Sequence, residues 1–195
     1  MDHVPPQCFF PSPKPNNLIT VPCCVRCNSD YSKEDDYIRF ILTSLLDRSK
    51  SGTQLWEEKV VPGFIPRNPK VVEEIVPTLK DVLIHTDSGP VEAAKFSVNQ
   101  DRVSRYFTRI AKGLLTHHYP HYDYQQDQFR VVLIPPQSSH LNQLSEVRDL
   151  LFYSEIGGDV FKYRHRITDT ELSGLWMLVF YEAILILVYH TKQPT

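Results

Sequence analysis

The chain has 195 residues, of which 42% are hydrophobic and 23% charged, and its formal net charge is −2. This length can bury a substantial core, and the small net charge excludes nucleic-acid binding through an overall basic surface. Residues 175–189 form an apolar run that is too short to span a bilayer. All four cysteines lie within the first 27 residues, which favours metal binding or redox chemistry over a disulfide framework. We expect a cytoplasmic protein with no membrane association.

The first 31 residues are rich in proline and predict a loop-rich head. A short β-branched run at Leu18–Val21 predicts a strand that ends at Pro22. Ser32, with Asp35 three positions later, has the pattern of a helix N-terminus. An apolar stripe at helical spacing follows it, so the sequence predicts a helix from Ser32 to about Asp47.

The rest of the chain alternates helical and strand patterns. Asn68-Pro69 predicts the start of a helix that Pro77 ends, and a second apolar stripe predicts a helix over residues 101–118. Alternating or continuous apolar runs predict strands at residues 82–86, 91–98, 129–134, 159–167, 176–181 and 184–189. We therefore predict an α+β protein, with a small head at residues 1–50 and a larger α+β region at 55–195 that ends in antiparallel strands.

Residues near the N-terminus carry groups that phosphodiester hydrolysis requires. A neutral histidine such as His3 can deprotonate water near pH 7. Asp2 and Asn28 offer the oxygen ligands that Mg²⁺ or Mn²⁺ accepts. In an extended segment Asp2 and His3 point to opposite faces, so one can face a cation and the other the water. The amide of Asn17 is suited to holding a loop by hydrogen bonds.

Cys24 and Cys27 have the spacing of half a tetrahedral zinc site, which normally needs four ligands. Cys8 and Cys23 are the only other thiols, and Cys23 is adjacent to Cys24, so both can hardly bind the same ion. A pair of reduced buried thiols and a thiol redox pair remain alternatives to zinc binding.

These motifs together resemble the HNH endonucleases, in particular a bacterial subgroup with the pattern HVPP…LITVP.C..CN. The matching segments are His3–Pro6, Leu18–Pro22 and Cys24–Asn28, with Ser32 and Lys33 after them. The resemblance implies a ββα-metal head, in which a β-hairpin and one helix surround a divalent cation (Mg²⁺ or Mn²⁺). It also implies metal-dependent hydrolysis of phosphodiester bonds in DNA.

The resemblance assigns a role to each matching residue. It implies that His3 is the general base, with Asn17 shaping the catalytic loop. Asp2 and Asn28 match the ligands of the catalytic cation. Cys24 and Cys27 match half of a structural zinc knuckle, and Lys33 matches a position that could contact phosphate. On the later predicted helix, Arg102, Arg105, Arg109 and Lys112 form a basic face. Such a face is most often simply solvated, and we predict that its arginines contact the DNA backbone.

The family normally carries a second Cys-x-x-Cys upstream of the Asp-His pair, and this sequence starts at Met1 without it. Zinc is therefore expected with only half of its usual ligands. Three explanations stay open: a truncated sequence, a degenerate copy, or a rewired zinc site that uses Cys8. The alternative to an endonuclease is a catalytically decayed module that binds nucleic acid or protein without cleaving it. The sequence makes no prediction about oligomeric state.

Overall fold

The computed structural model describes residues 1–86, 89–134, 138, 140–168 and 173–192. Within helices and strands it describes the backbone but not the side chains of residues 25–30, 32, 33, 85, 86, 140, 142 and 143.

The N-terminal head contains two short strands and a long helix. Strand β1 (Asp2–Val4) pairs antiparallel with β2 (Ile19–Val21), and α1 (Val25–Thr43) follows. The strand at β2 is confirmed, whereas β1 lies in a segment that was predicted to be loop. The prediction that the helix starts at Ser32 is wrong, because α1 starts seven residues earlier. The polar residues that suggested a helix start lie inside the helix, where the neighbouring Glu34 and Asp35 pair with arginines of a second helix.

The chain between the head and the hairpin is helical. Helix α2 (Lys50–Leu55) is capped by Ser49 and continues as π-helical turns over Trp56–Phe64, followed by α3 (Ile65–Arg67) and α4 (Pro69–Ile75). The predicted start of α4 at proline is confirmed, because proline lacks only an N–H that has no helical acceptor there. Helix α2 and the π-helical turns were not predicted.

The predicted hairpin and the predicted second long helix are both present. Strands β3 (Lys80–Thr86) and β4 (Gly89–Lys95) form a separate two-stranded antiparallel sheet. Helix α5 (Gln100–His118) is capped by Asn99, whose side chain accepts a hydrogen bond from the backbone N–H of Arg102. Its apolar stripe is buried, as its 3.6-residue periodicity predicted.

The C-terminal region is one five-stranded antiparallel sheet with the strand order β5-β9-β8-β7-β6. In chain order its strands are β5 (Asp127–Ile134), β6 (Phe152–Ile156), β7 (Phe161–Thr168), β8 (Ser173–Phe180) and β9 (Ile184–Lys192). Helix α6 (His140–Arg148) lies between β5 and β6 in the sequence. The predicted antiparallel strands at the end of the chain are confirmed. The edge strand β6 and helix α6 were not predicted.

One hydrophobic cluster joins the head to the sheet. Val4 and Phe9 of the head share it with residues of α5 and with Trp176 of the sheet. At the β8–β9 turn, Tyr181 has a left-handed backbone (φ 50°), and its hydroxyl donates a 2.8 Å hydrogen bond to the carbonyl of Phe9. The head is therefore packed directly on the larger region. None of the helices formed by the described residues combines the length and apolarity that a bilayer span needs.

Candidate active site

The β1–β2 hairpin presents Asp2 and His3 on opposite sides. The antiparallel register places Asp2 opposite Val21 and His3 opposite Thr20. Asp2 and Val4 both contact α5, so they share the inner face of the hairpin, whereas His3 lies on the other face. The predicted alternation of the two side chains is therefore present.

Gly113 allows β1 to approach α5 closely. A Cβ atom at this position would lie 2.6 Å from Cγ2 of Val4, which is closer than real Cβ contacts. Glycine inside a helix destabilises it by about 1 kcal/mol relative to alanine, so its position here has a packing explanation. The missing side chain makes room for the strand that carries His3.

Arg109 of α5 connects the hairpin to α1. Its guanidinium forms an ion pair with Asp2 and a 3.0 Å ion pair with Asp35, and it lies 4.0 Å from the ring centre of Tyr31. Tyr106 donates a 2.8 Å hydrogen bond to Asp35. Burial raises the pKa of Asp35, and the contacts from Tyr106 and Arg109 oppose that shift only in part. One half-buried guanidinium thus binds two carboxylates from different elements.

His3 has one occupied and one unoccupied ring nitrogen. Its Nε2 lies 2.7 Å from the side-chain nitrogen of Gln7, and its Nδ1 is buried without a hydrogen-bond partner among the described residues. Because the amide nitrogen can only donate, Nε2 must accept, and the ring proton is then on Nδ1. This hydrogen bond occupies the lone pair of Nε2, so His3 can act as a general base only after the side chain of Gln7 has moved away.

A cleft of about 130 Å³ lies between the hairpin and α5. Two residues of β1, two cations and two aromatic residues line it: Asp2, His3, Arg109, Lys112, Tyr31 and Tyr124. The Nζ atom of Lys112 lies 5.6 Å from the ring centre of Tyr124. The strand that carries His3 and the positive charges of α5 therefore border the same cleft, although the side chains of His3 and Asp2 leave the strand on opposite faces.

The other residues predicted from the head lie in different surroundings. Asn17 is exposed, and its side-chain nitrogen donates a 3.0 Å hydrogen bond to the carbonyl of Glu155, which ties the hairpin loop to β6. Cys24 is exposed immediately before α1. The side chains of Cys27, Asn28 and Lys33 lie outside the described part of the structure, although their backbone belongs to α1.

The three arginines predicted to contact DNA differ in how much of their charge is free. Arg102 pairs with Glu34 of α1 and stacks 3.6 Å above the ring centre of Tyr37. Arg109 is engaged by Asp2 and Asp35, as described above. Arg105 is exposed on the same helix. Two of the three guanidinium groups therefore hold α1 and β1 against α5.

The described residues do not make up a metal site. Among them, no group of three histidine, cysteine, aspartate or glutamate side chains is arranged to hold a metal ion. Among the two predicted ligands of the catalytic cation, Asp2 is the one whose side chain is described, and it already bonds to Arg109. The divalent cation and the zinc therefore remain predictions that rest on the resemblance.

No protein-family model, no curated protein and no solved structure is significantly similar to this chain. The site is consequently interpreted from its own geometry and from the motifs quoted above. Sequence analysis missed the pairing of Arg109 with Asp2 and the contact between Gly113 and Val4. A glycine inside an otherwise regular amphipathic helix was the one signal that could have indicated a close approach there.

Proposed function

We propose that this protein hydrolyses phosphodiester bonds in DNA, as a nuclease of the HNH type. The observation that supports the proposal is the order and pairing of the head: a histidine-bearing strand, an antiparallel partner strand and then a helix. This is the ββα order that the resemblance implies, and it includes His3 on β1.

In the proposed reaction, Gln7 first releases Nε2 of His3, which then takes a proton from the attacking water. The water oxygen bonds to phosphorus while the P–O bond to the leaving oxygen breaks, and the leaving oxygen takes a proton from solvent. Hydrolysis also needs positive charge near the phosphate oxygens. Lys112 borders the same cleft as His3, and no carboxylate of the described residues forms an ion pair with it. Arg109 keeps Asp2 and the strand in place. No step is assigned to a cation, because Asp2 is paired with Arg109.

The test is cleavage of supercoiled plasmid and of circular single-stranded DNA, with Mg²⁺ or Mn²⁺ and with EDTA. We expect the wild type to cut at least one of these DNAs and His3→Ala to lose about 100-fold or more in rate, the usual contribution of a general base. His117→Ala removes an exposed histidine at the far end of α5 and is the matched control. Equal rates for wild type and His3→Ala would refute the catalytic role.

A binding protein without nuclease activity is the second candidate. The engagement of Asp2 by Arg109 favours it, because this carboxylate is not free in the structure. On this alternative, purified protein retains DNA binding in both wild-type and His3→Ala forms, and neither form cuts DNA under any metal condition. Cleavage that depends on His3 would exclude it.

A further inference from the structure

A second groove, here called the tyrosine groove, lies at the C-terminal end of α5. It has a volume of about 450 Å³ and is lined by Thr116 and residues 119–125. Thr116 and Tyr124 also line the cleft beside His3, so the two concavities share a wall. Tyr124 is held at this wall by a 3.4 Å contact between its hydroxyl and that of Thr116.

We propose that the tyrosine groove binds an unpaired polynucleotide strand, and that the nuclease acts on single-stranded nucleic acid. This inference rests on the proposed function, because it takes the cleft beside His3 as the place of the scissile phosphate. The chemistry recognised is a chain of nucleobases joined by phosphates. Deoxyribose and ribose strands share that chemistry and are separated by the experiment.

The first supporting observation is the aromatic lining. Tyr119, Tyr122 and Tyr124 are each half-buried, with part of each side chain packed against the core. Rings fixed in this way can stack on bases whatever the sequence, because every base has a π-face. The bases of a duplex are already stacked on each other, so only an unpaired strand can use these rings.

The second observation is the position of Lys112. Lys112 lines the cleft, and its Nζ atom lies 5.6 Å from the ring centre of Tyr124, which lines both concavities, and 5.0 Å from that of Phe129. Within the described part of the chain no carboxylate forms an ion pair with it. One unneutralised cation between two concavities suits a single phosphate of a strand that passes from one to the other.

The third observation is the charge balance around the two concavities. The net charge is −2, Arg102 and Arg109 are paired with carboxylates, and Asp123 lies in the tyrosine groove itself. Tight binding of a duplex usually requires several phosphate contacts by lysine or arginine. A strand held mainly by stacking and by one or two phosphate contacts does not.

Binding is measured by fluorescence anisotropy with the full His3→Ala chain in EDTA, so that no cleavage occurs. The probes are a labelled oligo-dT, an oligo-U and a DNA duplex of equal length. We expect the better single strand to bind at least ten-fold more tightly than the duplex. The slope of log affinity against log salt should be about −1, the value for one or two phosphate contacts. Duplex binding of equal or greater affinity would overturn the proposal.

Substitutions in the tyrosine groove provide a second test. Tyr124→Ala should weaken single-strand binding about ten-fold, whereas Tyr124→Phe, which keeps the ring, should bind nearly as the wild type does. Tyr153→Ala removes an exposed tyrosine on edge strand β6, outside the groove, and is the control. Equal weakening by both alanine variants, or none by Tyr124→Ala, would contradict the proposal.

Lys112→Gln tests the same groove if Tyr124→Ala does not fold. We expect it to reduce the salt slope by about 0.7, the contribution of one phosphate contact on a single strand. An unchanged slope would overturn the assignment of Lys112. Failure of the single-strand proposal can be distinguished from failure of the nuclease proposal. Tight single-strand binding without cleavage refutes only the nuclease, whereas cleavage of duplex but not of single strands refutes only the substrate class.

Discussion

The N-terminal hairpin and the C-terminal sheet are held in place by different kinds of contact. Strand β1 has three residues, and it is fixed by Val4 against Gly113 and by Asp2 against Arg109. Strand β8 has eight residues, pairs on both sides, and contributes several side chains that are completely buried. A sheet strand such as β8 is thus positioned by partners on both sides, whereas β1 depends on one partner strand and on these two contacts with α5.

The two regions also differ in how deeply a paired aspartate is buried. Asp127 and His190 of the sheet form a 2.7 Å pair with no exposed side-chain surface, whereas Asp2 retains 12% exposure beside Arg109. Burial lowers the pKa of His190, and the hydrogen bond and charge of Asp127 oppose that shift. Any substitution near the buried pair should therefore affect global stability. A substitution near Asp2 should mainly affect the placement of His3.

The largest effect is expected at Gly174 of β8. A Cβ atom there would lie 2.2 Å from Nε2 of His190, and the imidazole is held by Asp127 on one side and by the stacked ring of Phe129 on the other. Gly174→Ala should lower the free energy of unfolding by about 4 kcal/mol, because overpacking and disruption of a buried pair combine. Urea unfolding followed by circular dichroism measures this difference.

Gly63→Ala is the matched control for that change. Gly63 lies in the π-helical turns with no atom within 4 Å of an added Cβ, so its substitution should change the unfolding free energy by less than about 1 kcal/mol. A similar small change for Gly174→Ala would show that the packing around His190 is looser than the structure indicates.

The second largest effect is expected in the pH dependence of the unfolding free energy, through His165 of β7. Burial, and then the neighbouring His118 and His117, lower the pKa of His165 to about 4. In the unfolded chain its pKa is about 6.5, so between these values the unfolded state binds more protons. Stability should therefore fall by about 3 kcal/mol as the pH decreases from 6.5 to 4, and it should be intact above pH 7.

His165→Phe should remove most of this dependence, because phenylalanine carries no titrating group. The measurement is the unfolding free energy of both proteins at several values between pH 4 and pH 8. Parallel curves for the two proteins would show that His165 does not titrate as its burial requires.

A smaller effect on global stability is expected in the hairpin. Arg109→Ala leaves Asp2 and Asp35 without their shared cation and should reduce the unfolding free energy by about 2 kcal/mol. Hydrogen exchange of the β1 and β2 amides should increase by more than this global change predicts, because β1 loses the Asp2–Arg109 contact and keeps only the Val4–Gly113 contact with α5. Arg109→Lys keeps the charge but lacks the planar guanidinium that can bind two carboxylates. Its unfolding free energy should lie between those of the wild type and Arg109→Ala.

Arg105→Ala is the control for the arginine change, since Arg105 is exposed on the same helix. It should change stability by less than about 0.5 kcal/mol and leave hairpin exchange unaltered. Equal exchange in Arg109→Ala and Arg105→Ala would mean that β1 is held by packing alone, as the sheet strands are.

Local sequence patterns were sufficient for the regular elements of the larger region. The apolar stripe of α5 and the apolar runs of β5, β8 and β9 appear close to their predicted bounds. Both signals are carried within one element, so no knowledge of the neighbours is needed. Strand β1 carries no such signal, because three residues contain less than two periods and its pairing partner lies fifteen residues away.

For the candidate site, the sequence by itself supplied the chemical groups and their order: a carboxylate beside a histidine, an asparagine in the loop and a Cys-x-x-Cys-Asn segment. It also supplied the helix that carries Arg109. Only the tertiary structure decided that Arg109 faces Asp2 and Asp35 rather than solvent, and that Gly113 admits β1. These contacts join residues about 75 to 110 positions apart. Pairings of that kind depend on how whole elements pack, and no local pattern encodes them.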